Sequence, residues 1–152
     1  MSRHLKESTG KETINIDGRE VKIKVVEPAF GLDRLFLAVL NDAYSELVED
    51  GETKTIMKLN DKISPVQYCI FPLMKKDGLP EKALEIFNAL KVRGFKVEYD
   101  DAGSIGKRYA RADEVGISYC ITIDYDSLEK NDFTIRYRDS REQKRIKIQE
   151  II

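Results

Sequence analysis

Histidine is almost missing from this 152-residue chain, which has only His4, and cysteine is represented twice, by Cys69 and Cys120. A zinc cluster or a histidine-based triad therefore lacks its material. Each cysteine lies inside an apolar run, QYCIFPL or ISYCITI, which excludes a disulfide framework and predicts two reduced thiols in a core. Tryptophan is absent, and no stretch approaches the roughly 18 uninterrupted apolar residues that a membrane span needs. The N-terminus, MSRHLKESTG, has no apolar run of the secretory type, so a cytoplasmic protein with no membrane partner is expected. Neither sign of charge prevails, with 26 Lys and Arg against 27 Asp and Glu. With 41% hydrophobic and 35% charged residues, the composition excludes a disordered chain and fits one globular domain, or one with a short appendage.

What is present is strongly periodic. Glu12 to Ile16 and Arg19 to Val26 flank Asp17-Gly18, a dipeptide suited to the positive φ of a type I′ turn, and predict a β-hairpin. Pro28 ends the second strand. Leu32, Leu35, Phe36, Val39, Leu40, Ala43, Leu47 and Val48 then recur at helical spacing, predicting a long helix that stops at Gly51. The polar, weakly periodic stretch 51–65 reads as a linker. Beyond it come a buried strand over Val66 to Leu73, a helix over Pro80 to Val92, a strand through Phe95, Val97 and Tyr99, a helix from about Ser104 to Val115, and a buried strand over Ile117 to Ile123. Phe133, Ile135 and Tyr137 alternate with Thr134, Arg136 and Arg138, and Ile146 and Ile148 continue the alternation after a polar turn. The expected fold is α/β, a five-stranded mixed sheet flanked by helices and preceded by a β-hairpin and a long helix. The expected division is 1–50, a linker at 51–65, and 66–152.

Two constellations carry chemistry. In Glu27-Pro28-Ala29-Phe30-Gly31-Leu32-Asp33-Arg34 a carboxylate at a strand end precedes an arginine in the first turn of a helix. Gly31 permits close backbone approach and Arg34 is a planar cation suited to phosphate, although a β-α corner with an ion pair has the same pattern. In the segment from Asp100 to Glu114, Lys107 and Arg111 are one helical turn apart, Arg108 lies beside them and Tyr109 interrupts the charge. Cations with an interleaved aromatic suit single-stranded RNA loops, and a solvated helix with Tyr109 in the core fits the spacing equally well. The segment has neither G-x-G-x-x-G nor a P-loop pattern. From Arg136 to Lys147 six cations face two carboxylates, an excess of four that suggests an anionic partner or, equally, a protected sheet edge.

At these residues the chain resembles the glycyl-tRNA synthetases of the archaeal and eukaryotic type, which are class II aminoacyl-tRNA synthetases. VVEPAFGLDRLFLAVL looks like motif 3 of that class, and YDDAGSIGKRYARADEVGISYCITIDYDSLEKNDFTIRYRDSREQ looks like the glycyl branch's anticodon-binding domain. The resemblance implies that residues 1–50 are the end of a catalytic domain and 66–152 the anticodon-binding domain. It implies that Arg34 serves catalysis by contacting ATP phosphates, that Glu27 lies where glycine's ammonium is held, and that Lys107, Arg108 and Tyr109 meet the anticodon of tRNA(Gly). Arg111 joins that group. Glycine anticodons end in two cytosines, whose exocyclic amines suit carboxylates such as Asp113 or Glu114.

Two departures qualify this. The family reads E-P-S where this chain has Ala29, which removes a hydroxyl, and no segment before Glu12 supplies motif 1 or motif 2. The expectation is a segment that does not aminoacylate alone, with apolar surface left open for the remaining catalytic domain or the other half of a split enzyme. ATP, with Mg2+, and a homodimeric state are expected only in the complete enzyme, and no metal or cofactor in the isolated second domain. The alternative is a stand-alone paralogue serving as a non-catalytic RNA-binding accessory protein.

Overall fold

A computed structural model of the chain describes residues 2–22, 28–49 and 51–151. The elements are α1 (Ser2–Thr9), β1 (Thr13–Ile16), β2 (Arg19–Lys22), α2 (Leu32–Ala43), β3 (Tyr44–Glu49), β4 (Glu52–Met57), β5 (Tyr68–Pro72), α3 (Leu79–Val92), β6 (Val97–Tyr99), α4 (Ile105–Glu114), β7 (Tyr119–Ile123), α5 (Tyr125–Lys130), β8 (Asp132–Tyr137), β9 (Gln143–Lys147) and α6 (Ile148–Ile151). They fall into two compact units, Met1–Leu35 and Phe36–Ile152. Among the described residues no helix is long and apolar enough to cross a membrane.

The first unit contains the expected hairpin turn, β1 paired antiparallel to β2 around Asp17 and Gly18, both at positive φ, while positions 23–26 of the expected second strand lie outside the described residues. Phe30 and Leu32 follow it at 81% and 78% exposure, the open apolar surface that the sequence led us to expect. In the second unit the five strands run in the order β6-β5-β7-β8-β9. β5 is parallel to both β6 and β7, while β8 and β9 run antiparallel, as the alternation of strands and helices predicted.

Both faces of this sheet are covered. Leu79, Ala83, Ile86 and Leu90 of α3 recur at helical spacing and pack, fully buried, on Ile70, Ile121, Ile123 and Phe133. The opposite face presents Cys69, Phe71 and Cys120 to Ala112 and Tyr109 of α4, with β4 packed beyond that helix. Both cysteines are buried, and burial pushes the Cys69 thiol up to about 12, so it behaves as a small hydrophobe.

Three readings need correction. The helix expected to reach Val48 stops at Ala43, and Tyr44–Glu49 pairs antiparallel with Glu52–Met57. Leu47 and Val48 satisfy helical spacing, but they pair with Lys54 and Thr53 of the neighbouring strand, and Gly51, at φ 79, precedes that strand. The stretch 51–65 therefore contains a strand. Its continuation, Leu59 to Ser64, is tied to the sheet unit, because Arg138 Nη2 donates to Leu59 O at 2.9 Å and Asp61 accepts from Ser118 Oγ and Tyr119 Oη at 2.5 and 2.6 Å. Finally, α5 was not anticipated: Asp124 and Ser127 form a capping box that starts it, and Ile148, expected in a strand, opens α6.

Candidate nucleic-acid interface

The α4 helix begins after Ser104 and ends where Gly116 takes φ 81. Its sequence places Lys107, Arg108 and Tyr109 on three different sides, one hundred degrees apart. The structure accordingly does not bring the three together at one rim. Lys107 is exposed. Arg108 is 4% exposed and turned inward, with Nη1 donating to Pro72 O at 2.6 Å and Nη2 to Gly103 O and Asp101 O at 2.8 and 3.1 Å. It ties the end of β5 to the loop before α4. Tyr109 is half-buried, edge-on to Phe71 with ring centroids 5.4 Å apart, and its hydroxyl lies 2.7 Å from Thr122 Oγ1. This is the core reading that the spacing had left open.

The remaining candidates divide in the same way. Asp113, one turn beyond Tyr109, is 4% exposed, and both its oxygens accept from Arg136 at 2.9 and 2.8 Å. Burial works against the Arg136 charge, but the Asp113 carboxylate outweighs it and raises the guanidinium above its ordinary pKa. Arg136 also lies over the Tyr109 ring, 4.8 Å from its centroid. Arg111 and Glu114 are exposed, although Arg111 donates to Asp100 at 2.5 Å and to Ala102 O at 2.6 Å. Arg34 stands exposed in the first turn of α2, in the first unit, with its side chain 3.9 Å from where a Cβ on Gly31 would lie. Glu27 lies outside the described residues.

The excess of cations over Arg136 to Lys147 is largely neutralised within the fold. Arg138 is 3% exposed and bonds to Gly116 O, Leu59 O and Asp139; Arg145 is bonded by Asp124 and Asp132; Lys144 pairs with Glu142. An open basic hairpin is therefore not what β8 and β9 form. The polar positions of β8 alternate onto a face that α4 covers, where buried cations must be paired.

One member of that group stands apart. Arg141, in the β8–β9 turn at φ 58, reaches into a cavity of about 610 Å³ bounded by the β3–β4 hairpin, α4 and the start of β9. Its Nη2 is 3.3 Å from Glu49 Oε2 and 4.0 Å from Asp113 Oδ2, while Nη1 is buried with no hydrogen-bond partner among the described residues. Glu49 also accepts from Lys54 Nζ at 2.7 Å, and Lys54 first, then Arg141, holds its carboxyl below the usual range. Glu52 and Glu114 line the same cavity. Sequence reasoning had Arg141 only within a charge count and missed Glu49, because nothing local signals a contact between positions 49 and 141.

The family model for an anticodon binding domain matches residues 67–152. The chain belongs to that family. Solved structures of threonyl- and prolyl-tRNA synthetases from Cryptosporidium parvum share its architecture: the RNA binding domain of the former gives a TM-score of 0.57 at 24% identity over 62% of this chain and 24% of that one. The prolyl-tRNA synthetase, solved with L-proline and AMP, gives 0.59 at 25% identity, covering 62% of this chain and 21% of that one. In sequence the chain is 51% identical to the glycine–tRNA ligase of Chlorobaculum tepidum, over 80% of this chain and 26% of the relative. It is 43% identical to that of Methanococcus maripaludis, over 90% and 23%. The chain thus spans about a quarter of the length of the curated relatives it matches. The chain is thus similar to glycine–tRNA ligases over most of its length, and the β3–β4 hairpin lies outside the matched anticodon binding domain.

Proposed function

We propose that this chain is the C-terminal part of a glycine–tRNA ligase, and that its second unit recognises the anticodon of tRNA(Gly) by taking an unpaired base into the cavity beside Arg141. The observation that carries this reading is the Arg141 Nη1 donor, buried and without an acceptor among the described residues, in a family whose domain binds anticodons. A buried donor left unsatisfied is costly, so a site that keeps one is prepared for an acceptor from outside. The carboxylates of Glu52 and Glu114 supply the complementary acceptors at the same cavity. A cytosine edge has both kinds of group, two acceptors and an exocyclic amine. Lys107 and Arg111, exposed on α4, are placed to meet the flanking phosphates. Arg108 and Tyr109 act indirectly, by holding α4 against the sheet.

The first unit, in the same proposal, supplies Arg34 to the α-phosphate of ATP during glycyl-adenylate formation, and Glu27 to the ammonium of glycine. The exposed Phe30 and Leu32 are then covered by the rest of the catalytic domain, from the same or another chain. ATP and Mg2+ are, in this proposal, ligands of the complete enzyme. Ala29, where the family has serine, favours one rival, a paralogue that binds RNA without catalysis.

Two measurements test the proposal. Titration of the chain with tRNA(Gly) and with a transcript whose anticodon cytosines are replaced should give a tighter constant for the former, and affinity that falls steeply with salt. Equal affinity defeats anticodon recognition. Mixed with a fragment carrying motifs 1 and 2, the chain should restore glycine-dependent exchange of pyrophosphate into ATP, and Arg34→Ala should abolish it. RNA binding without any restored exchange selects the paralogue.

A further inference from the structure

We infer that Glu49 is a positioning residue for RNA reading: it aims Arg141 into the cavity, and so makes the β3–β4 hairpin a working wall of a site whose other walls lie in the anticodon binding domain. The inference rests on the anticodon reading of that cavity. It adds a residue outside positions 67–152, in a segment the family model does not reach.

Arg141 enters the cavity from a left-handed turn residue, a backbone state that non-glycine residues keep only where the surroundings hold them. Two carboxylates stand near its guanidinium. Asp113 is the farther, at 4.0 Å, and both its oxygens are already engaged by Arg136 at 2.9 and 2.8 Å. Glu49 is nearer, at 3.3 Å, and is itself fixed by Lys54 at 2.7 Å across the same hairpin. The direction of the fork is therefore set from the hairpin. With Nη2 paired to Glu49, Nη1 is left buried without an acceptor among the described residues, and the guanidinium that carries this unmade bond lines the cavity.

The charges nearby say what that acceptor is. Glu49, Glu52, Asp113 and Glu114 face Lys54, Arg136 and Arg141 around the cavity, four negative groups against three positive. A phosphate would enter against a net negative lining, whereas a neutral base edge bearing a carbonyl or ring nitrogen meets one oriented donor with carboxylates beside it for its amine. The ligand of Arg141 is thus a base, and Glu49 sets how well the base is distinguished.

The test uses the 152-residue chain and two RNAs, tRNA(Gly) and a transcript with the anticodon cytosines changed to uracil, with the ratio of their dissociation constants as the readout. Glu49→Gln and Arg141→Gln should each lower that ratio about 10-fold. Glu49→Asp, which keeps the carboxylate, should retain most of it. The thermal midpoint of Glu49→Gln should stay close to that of the parent, because ion pairs of a half-exposed carboxylate add little stability, and its salt slope should not change, because it touches no phosphate. A Glu49→Gln variant with the parental ratio, beside an Arg141→Gln variant that has lost it, overturns the positioning role and leaves the cavity reading intact. If Arg141→Gln also keeps the parental ratio, the cavity is not the anticodon site and both ideas fall. If the variants weaken both RNAs equally and Arg141→Gln flattens the salt slope, Arg141 holds phosphate and the inference is overturned.

Discussion

Arg136 of β8 and Asp113 of α4 meet in parallel, two N–H donors on two carboxylate oxygens at 2.9 and 2.8 Å, with both side chains almost sealed from water. The pair locks the helix that carries Lys107 and Arg111 to the strand that leads into Arg141. It also closes the face of the sheet opposite Phe133 and Ile135, onto which the polar residues of β8 alternate.

Removing one partner leaves the other as an unpaired buried charge. Asp113→Ala should destabilise the chain by about 3–5 kcal/mol in urea unfolding, and Asp113→Leu combined with Arg136→Met should recover much of it. A double variant no more stable than the single would show that the pair adds more than mutual neutralisation.

Arg108 and Lys107 are neighbours with opposite expectations. Arg108→Met strips the donor from the carbonyls of Pro72, Asp101 and Gly103 and should destabilise by about 2–4 kcal/mol. Lys107→Ala should leave stability within about 0.5 kcal/mol and reduce the salt dependence of tRNA binding by about one phosphate contact. Urea unfolding and salt titration of both variants check this, and a folded Arg108→Met that loses only RNA affinity would contradict it.

Asp61 gives the chain a pH dependence at both ends. Burial pushes its carboxyl up, but bonds from Ser118 and Tyr119 outweigh that and hold it below the ordinary value. The unfolded state then binds more protons in that range, so the stability from Asp61 is present above roughly pH 4 and is lost as pH falls through the lowered folded value. Tyr119, bonded to Asp61 and buried beside it, has its pKa pushed up to about 12. Its contribution is full below roughly pH 10 and is lost as pH rises towards the folded value. Asp61→Asn should flatten both limbs of a stability profile measured by urea midpoint against pH.

Gly116 and Gly94 separate backbone strain from steric conflict. Both have positive φ, 81 and 88, but a Cβ at Gly116 would lie 2.8 Å from Leu59 Cδ1 and 3.0 Å from Met57 O, whereas Gly94 has open space. Gly94→Ala should cost about 1 kcal/mol from the left-handed conformation alone. Gly116→Ala should cost clearly more, because Leu59 must also move off the sheet unit; equal costs would mean that the strap at Leu59 to Ser64 yields freely.

The sequence determined the elements whose signal is local. Alternation of period two and the helical spacing of Ala83, Ile86 and Leu90 were enough for the order of the five main strands and the two main helices between them. The long stretch from Tyr99 to Gln143 likewise identified the family. Local signals failed where one residue served two periods: Leu47 and Val48 fit a helix as well as a strand, and pairing with Thr53 and Lys54 decided for the strand. They failed more completely for charge. Arg136, Arg138 and Arg108 have the sequence pattern of solvated cations, and only the second covered face of the sheet turned them into buried ties. The meeting of Glu49 with Arg141 is of the same kind, because a contact between residues 92 positions apart (141 − 49) is fixed by sheet topology and helix packing, and no window of neighbouring residues encodes it.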